Sequence, residues 1–187
     1  MGWTGIMIDK QDVKEHIRNI WHNPRTDQQR FEVVYQTQYG TTFYQAVKDH
    51  DKNKVFACVV LTSYKNGELI YKDICEEAGP FECHGVTQKF LDMLTSTEDE
   101  HTLAWRENAQ KYRERDMWLK KHLVPGSDVK MSCVLSWPGN ETDAFTIQRY
   151  GKNQLVASFK NGSLGALPKG WKNLVVAVDG VSAPAVA

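Results

Sequence analysis

Val55-Phe56-Ala57-Cys58-Val59-Val60-Leu61-Thr62 is the longest nearly unbroken apolar run in the chain. Its residues are mostly β-branched or aromatic, and it is too short for a buried helix of ordinary length. It reads as a strand covered on both faces, at the centre of a sheet. The stretches beside it read as its partners. Phe31, Val33, Tyr35, Thr37 and Tyr39 alternate with Glu32, Val34, Gln36 and Gln38, the pattern of a half-buried strand. After Gly40, Thr42 to Lys48 gives a second strand, and the polar loop from Asp49 to Lys54 leads into the central run. Asn66-Gly67 is the strongest hairpin signal, because both residues tolerate the positive φ of a type I′ turn. Glu68 to Ile74 then returns, so sequential strands make an antiparallel meander.

Outward from the meander, Met1 to Ile8 reads as an edge strand or a buried arm. Asp9 fits a helix N-cap with Asp12 in the first turn, and Val13, Ile17, Ile20 and Trp21 form an amphipathic stripe that ends at Asn23-Pro24. Val86 to Leu94 predicts a short helix. Thr97 and Glu100 have the spacing of a capping box and open a long charged helix to about His122. Val124-Pro125-Gly126-Ser127 reads as a linker. Beyond it, Val129 to Trp137, Ala144 to Tyr150, Gln154 to Phe159 and Leu174 to Val178 are short strands separated by Gly- and Asn-rich turns, with a tail from Ser182. The expected fold is α+β: an antiparallel four-stranded meander with helices packed on one face over residues 1–123, followed by a small all-β barrel-like domain over 128–181.

Composition narrows the function classes. The 187 residues carry no formal net charge, whereas a DNA mimic is strongly acidic and a general nucleic-acid binder strongly basic. No apolar run approaches the roughly 18 residues of a membrane span. The N-terminus lacks the basic and apolar regions of a signal peptide, and Ile6 stands where a myristoylation motif needs Ser or Thr. The expectation is a cytoplasmic protein with no membrane partner. Cys58, Cys75, Cys83 and Cys133 then read as free thiols, with Cys58 and Cys133 as small core residues.

The densest set of reactive side chains is Asp73, Cys75, Glu76, Glu77, Glu82, Cys83 and His84. Two Cys and a His could hold zinc with a carboxylate as fourth ligand, but seven residues separate the cysteines, Cys83 and His84 are adjacent, and no second CxxC or HxxxH closes a tetrahedron, so neither a metal nor another cofactor is expected. Cys75 or Cys83 with His84 or His50 could act as nucleophile and base, but no nucleophile elbow surrounds them, and phosphate-binding Gly loops are absent. Clustered carboxylates are costly unless solvent, a cation or a basic partner meets them. A loop held by a rigid sheet is also where function concentrates. Asp73, Glu76, Glu77, Glu82 and His84 are therefore expected to form a partner-binding surface with the exposed face of the long helix around Arg106, Arg113 and Arg115. As an alternative, Tyr35, Tyr39, Tyr44, Tyr64 and Tyr71, with Lys65 and Lys72 nearby, could stack nucleic-acid bases on the sheet.

Met1-Gly2-Trp3-Thr4, Thr42-Phe43-Tyr44-Gln45-Ala46-Val47, Val55 to Thr62, Tyr71-Lys72-Asp73 followed by Gly79-Pro80, Asp92-Met93-Leu94-Thr95 and Trp105-Arg106 occur in this order. As a set they resemble an uncharacterised family of small proteins carried by phages, plasmids and other mobile elements. The resemblance covers about residues 1–115. It brings no known reaction and no catalytic residues. It implies an accessory protein, with counter-defence as one context. The expectation is a non-enzymatic binding or inhibitor protein that acts stoichiometrically on a host or phage macromolecule, most readily a protein. The alternatives are a nucleic-acid-associated accessory protein and a small enzyme or ligand-sequestering protein with its site near the 73–84 loop.

Overall fold

The computed structural model describes residues 2–22, 30–79, 81, 83–152 and 154–186. Its contacts divide the chain into two compact units, Met1–Arg113 and Glu114–Ala187. In the first unit, β1 (Thr4–Met7), β2 (Phe31–Tyr39), β3 (Thr42–Asp49), β4 (Lys54–Lys65) and β5 (Glu68–Cys75) form one antiparallel sheet in the order β1-β5-β4-β3-β2. The sheet has five strands rather than four, because the N-terminal arm pairs along β5 from Thr4↔Tyr71 to Met7↔Glu68. Strand β4 lies at the centre, and Ala57, Cys58, Val59 and Val60 are buried in succession. Asn66 and Gly67 adopt positive φ, 54° and 82°, as the tight β4–β5 hairpin requires.

A strand buried on both faces needs cover on both. Here the structure corrects the expectation of helices on one face. The short helix α1 (Val13–Arg18) covers one side, where Ile17, Val33, Phe43, Val47, Cys58, Val60 and Leu69 make a core. The buried amide of Gln45 joins the layers: its Nε2 donates to the Ile17 carbonyl at 2.6 Å, and its Oε1 accepts from Trp21 Nε1 at 2.9 Å. Aromatic packing builds the other face. Tyr44 meets Phe90 of α2 (Gln88–Leu91), and Phe90 meets Trp105 of α3 (Glu100–His122). Fully burying side chains of this size stabilises by about 1.5–3 kcal/mol each.

Both predicted helix starts shift. Residue Asp12, not Asp9, precedes α1, and its side chain makes no capping bond. Asp99, not Thr97, caps α3, its Oδ1 accepting from the Thr102 N–H at 2.8 Å. That charge-assisted bond holds the Asp99 carboxyl below its usual value.

The second unit contains the C-terminal part of α3 and the strands β6 (Asp128–Trp137), β7 (Asn140–Tyr150), β8 (Gln154–Ser158), β9 (Leu164–Ala166), β10 (Val175–Val178) and β11 (Val181–Ser182). They form an open sheet in the order β11-β10-β6-β7-β8-β9, not a closed barrel. Its core joins Val129, Met131, Phe145, Ile147, Ala157, Val175 and Val178 to Leu119 of α3, with Trp118 and Leu123 packed alongside. A bulge interrupts β6: Lys130 pairs with Ala144, yet the next pair is Leu135 with Thr142. Cys133 falls in that bulge and is exposed, not the core residue its apolar neighbours implied.

The fold class therefore needs correcting. The described residues are mostly β, 43% strand against 23% helix, in two antiparallel sheets, with three α-helices among them. The division of contacts falls inside α3, not at residues 124–127. Those residues are tied into the second unit. The Gly126 N–H donates to the Ile147 carbonyl at 2.7 Å, the Ile147 N–H to the Ser127 carbonyl at 2.8 Å, and Ser127 Oγ to the His122 carbonyl at 2.9 Å. No helix among the described residues is long and apolar enough to cross a membrane.

Candidate functional site

Where β5 ends at Cys75, the chain enters a 3-10 turn, Glu76–Ala78, closed by Gly79 at a φ of 88°. The turn faces a cleft of about 400 Å³ in the first unit, a volume typical of ligand sites. Its apolar wall is Trp21, Phe31 and Phe56, whose rings meet edge to face with centroids 5.3–6.0 Å apart. The polar wall comprises the turn, the segment from Thr95 to Thr97, and the start of α3. The β3–β4 loop supplies Lys52, and the first residue of β4 supplies Lys54.

Glu76 is 2% exposed, an expensive place for a carboxylate unless it is paired. Arg106 answers it with a planar fork. Nε donates to Oε2 and Nη2 to Oε1, both at 2.8 Å, while Nη1 donates to the Thr95 carbonyl at 2.6 Å. Thr95 is itself held to β4, since Val55 N–H donates to its Oγ1 and its own N–H donates to the Val55 carbonyl, both at 2.9 Å. The pair thus fixes the turn, the approach to α3 and the first residues of β4 in one network. Across the cleft, Arg30 donates to Asp49 through Nη2 at 3.0 Å and lies 3.1 Å from Asp51. That guanidinium holds the Asp49 carboxyl below its ordinary value of 3.8. With these pairs made, Lys52 and Lys54 have no ion-pair partner among the described residues, and Glu77 is exposed beside them.

Cys75 also lines the cleft, and the thiol it touches is Cys58, directly opposite on β4. The Cys58 hydrogen bond lowers the Cys75 thiol, while the same bond and burial push Cys58 up. A thiol partner cannot serve as the base an acyl-transfer nucleophile needs. Cys83 is fully buried, its Sγ donating to the Phe81 carbonyl at 3.0 Å. Among the described residues no group of three or more His, Cys, Asp or Glu side chains is placed to hold a metal ion.

Of the residues expected to form one surface, the cleft gathers Glu76, Glu77 and Arg106. Asp73 is half-buried on β5, paired with Val60. The His84 ring meets Tyr112 edge-on at 4.8 Å. Arg113 is half-buried in the first unit, and Glu82 lies outside the described residues. Arg115 is only 5% exposed and belongs to the second unit, where it donates to the carbonyls of Pro184, Lys172, Asn173 and Val175. Its buried role and that of Glu76 correct the expectation that both would present charge to solvent.

The tyrosines are largely engaged within the unit. Tyr44 is buried against Phe90, Tyr35 lies under Lys89, Tyr64 donates to the Ile8 carbonyl, and Tyr71 meets His16. Of these five, Tyr39 alone is more than half exposed, at 52%. The cleft residues that sequence reasoning passed over are Trp21, Phe31, Phe56, Lys52 and Lys54. Their one signal was Lys52 and Lys54 flanking Asn53 just before the apolar run that Val55 and Phe56 open. No family model, curated protein or solved structure matches the chain.

Proposed function

We propose that the chain is a non-enzymatic binding protein of a mobile genetic element, acting stoichiometrically on a host or phage protein, and that the cleft beside the Glu76–Ala78 turn takes a segment of that partner. The resemblance over residues 1–115 supports the context. The observation that carries the site is the division of labour among its charges. Glu76 with Arg106 and Asp49 with Arg30 are spent on one another, whereas Lys52, Lys54 and Glu77, which line the same cleft as the aromatic wall, have no ion-pair partner among the described residues. Such a site suits an apolar or aromatic side chain flanked by a carboxylate. Burial of the ring supplies affinity, and the rim charges set register and on-rate.

The test is capture from host or phage lysate by the tagged full chain, repeated with Lys52→Glu and Lys54→Glu together. A protein recovered in fixed stoichiometry by the native chain, lost by the variant, and released with unchanged mass supports the reading. Equal capture by both chains, or a partner released with altered mass, contradicts it. The cleft's size favours a second reading, in which the same residues sequester a small anionic ligand. Native mass spectrometry of the purified chain separates the two, since a retained small molecule would be seen directly.

A further inference from the structure

The register of the first sheet sets Cys58 of β4 against Cys75 of β5. Residues directly opposed on antiparallel strands point to one face, with Cα atoms about 4.5–5.5 Å apart, inside the span a disulfide bridges. Both thiols are free in this structure, and their residues are direct cross-strand partners. Their surroundings differ. Cys58 is fully buried among Phe43 and Val60, whereas Cys75 is partly exposed and opens onto the cleft. Cys75 is thus the more accessible residue of the two.

We propose that Cys58 and Cys75 form a peroxide-sensitive dithiol, with Cys75 attacking, Cys58 resolving, and a cross-strand disulfide as product. The Cys75 thiolate attacks the O–O bond of hydrogen peroxide. An S–O bond forms, the O–O bond breaks, and hydroxide leaves, taking a proton to become water. The Cys58 sulfur then attacks the Cys75 sulfur. The S–S bond forms, the S–O bond breaks, and the departing hydroxide takes the Cys58 proton as a second water. Two electrons pass from the sulfurs to the peroxide, and a thiol reductant reverses the reaction. The polarity of the contact favours this order, because the hydrogen bond from Cys58 holds the Cys75 thiol below its ordinary value. Cys133 is more exposed but lies in the β6 bulge, where β7 offers it no paired residue. This inference goes beyond the binding role and stands whatever the cleft holds, because its readout is the state of two sulfurs.

The experiment treats the reduced full chain with increasing hydrogen peroxide, blocks remaining thiols with iodoacetamide, and maps peptides by mass spectrometry. The expected result is a Cys58–Cys75 linked peptide, lighter by two hydrogens, that appears before Cys133 is oxidised and disappears with dithiothreitol. Cys58→Ser should stop at a Cys75 sulfenic acid that dimedone traps. Cys75→Ser, a change at the less buried position, should leave Cys58 reduced. Native chain in which Cys75 reaches sulfinic acid while Cys58 stays reduced, or in which oxidation is confined to Cys133, would overturn the proposal.

Discussion

Arg106 and Glu76, thirty residues apart in sequence, meet in a two-pronged ion pair with both N–H···O distances at 2.8 Å. Glu76 is 2% exposed, so removing the guanidinium strands a buried carboxylate. Arg106→Met should destabilise the chain by about 3–5 kcal/mol, the cost of leaving one partner of a buried pair uncompensated. The double variant with Glu76→Met should recover much of that loss, because two apolar groups of similar size need no partner. Urea denaturation of the three chains checks both statements. Equal losses in single and double variants would show that the pair is not the joint of this turn.

The β4–β5 hairpin gives a second expectation. Gly67 sits at a φ of 82°, and an added Cβ would lie 3.4 Å from Met7 Cε. Gly67→Val should cost about 1–3 kcal/mol, the usual penalty for a side chain in this backbone region. A clear fall in melting temperature is expected. An unchanged one would mean that the strands are not joined by this turn.

In the second unit, Arg115 donates to four backbone carbonyls, of Pro184, Lys172, Asn173 and Val175. Arg115→Met leaves those acceptors unmet and should cost about 3 kcal/mol, given that hydrogen bonds to charged groups are worth about 1.5–3 kcal/mol each. Arg115→Lys should recover part of this, since an ammonium keeps the charge but loses the fork. Tryptophan fluorescence of the second unit's Trp118, Trp137 and Trp171 would follow the loss.

Asp49 provides a pH dependence. Its carboxyl is held below 3.8 by the hydrogen bond from Arg30. A carboxyl with a depressed folded-state value stabilises the fold above its unfolded value, and that stabilisation fades as pH falls through the folded value. Asp49→Asn should therefore be less stable than the native chain at neutral pH, with the gap closing in acid below pH 3.8. A constant gap across pH would remove Asp49 as its source.

Much of the first sheet could be read from the sequence because its signals are local. Period-two alternation marked β2 at Phe31–Tyr39, and Asn66-Gly67 marked the hairpin. What escaped depends on contacts between distant residues. Leu164–Ala166 and Val181–Ser182 are too short to show alternation, and they become strands only by pairing with β8 and β10. Whether a sheet closes is decided at its two edges, which explains why an open sheet was read as a barrel. At the site, Glu76 and Glu77 look alike in sequence. One is buried and the other exposed because Arg106 reaches only the first. The aromatic wall was hidden because Trp21, Phe31 and Phe56 each read as core residues of separate elements.

The claim that the cleft is the contact site is tested most directly by photo-crosslinking. A benzophenone amino acid at Ser96, which is exposed and lines the cleft, is compared with one at Ser136, exposed on β6 of the second unit. Irradiation in host or phage lysate should join the Ser96 chain to one protein in a single adduct and leave the Ser136 chain unlinked. A partner that crosslinks at Ser136 and not at Ser96 would contradict the account.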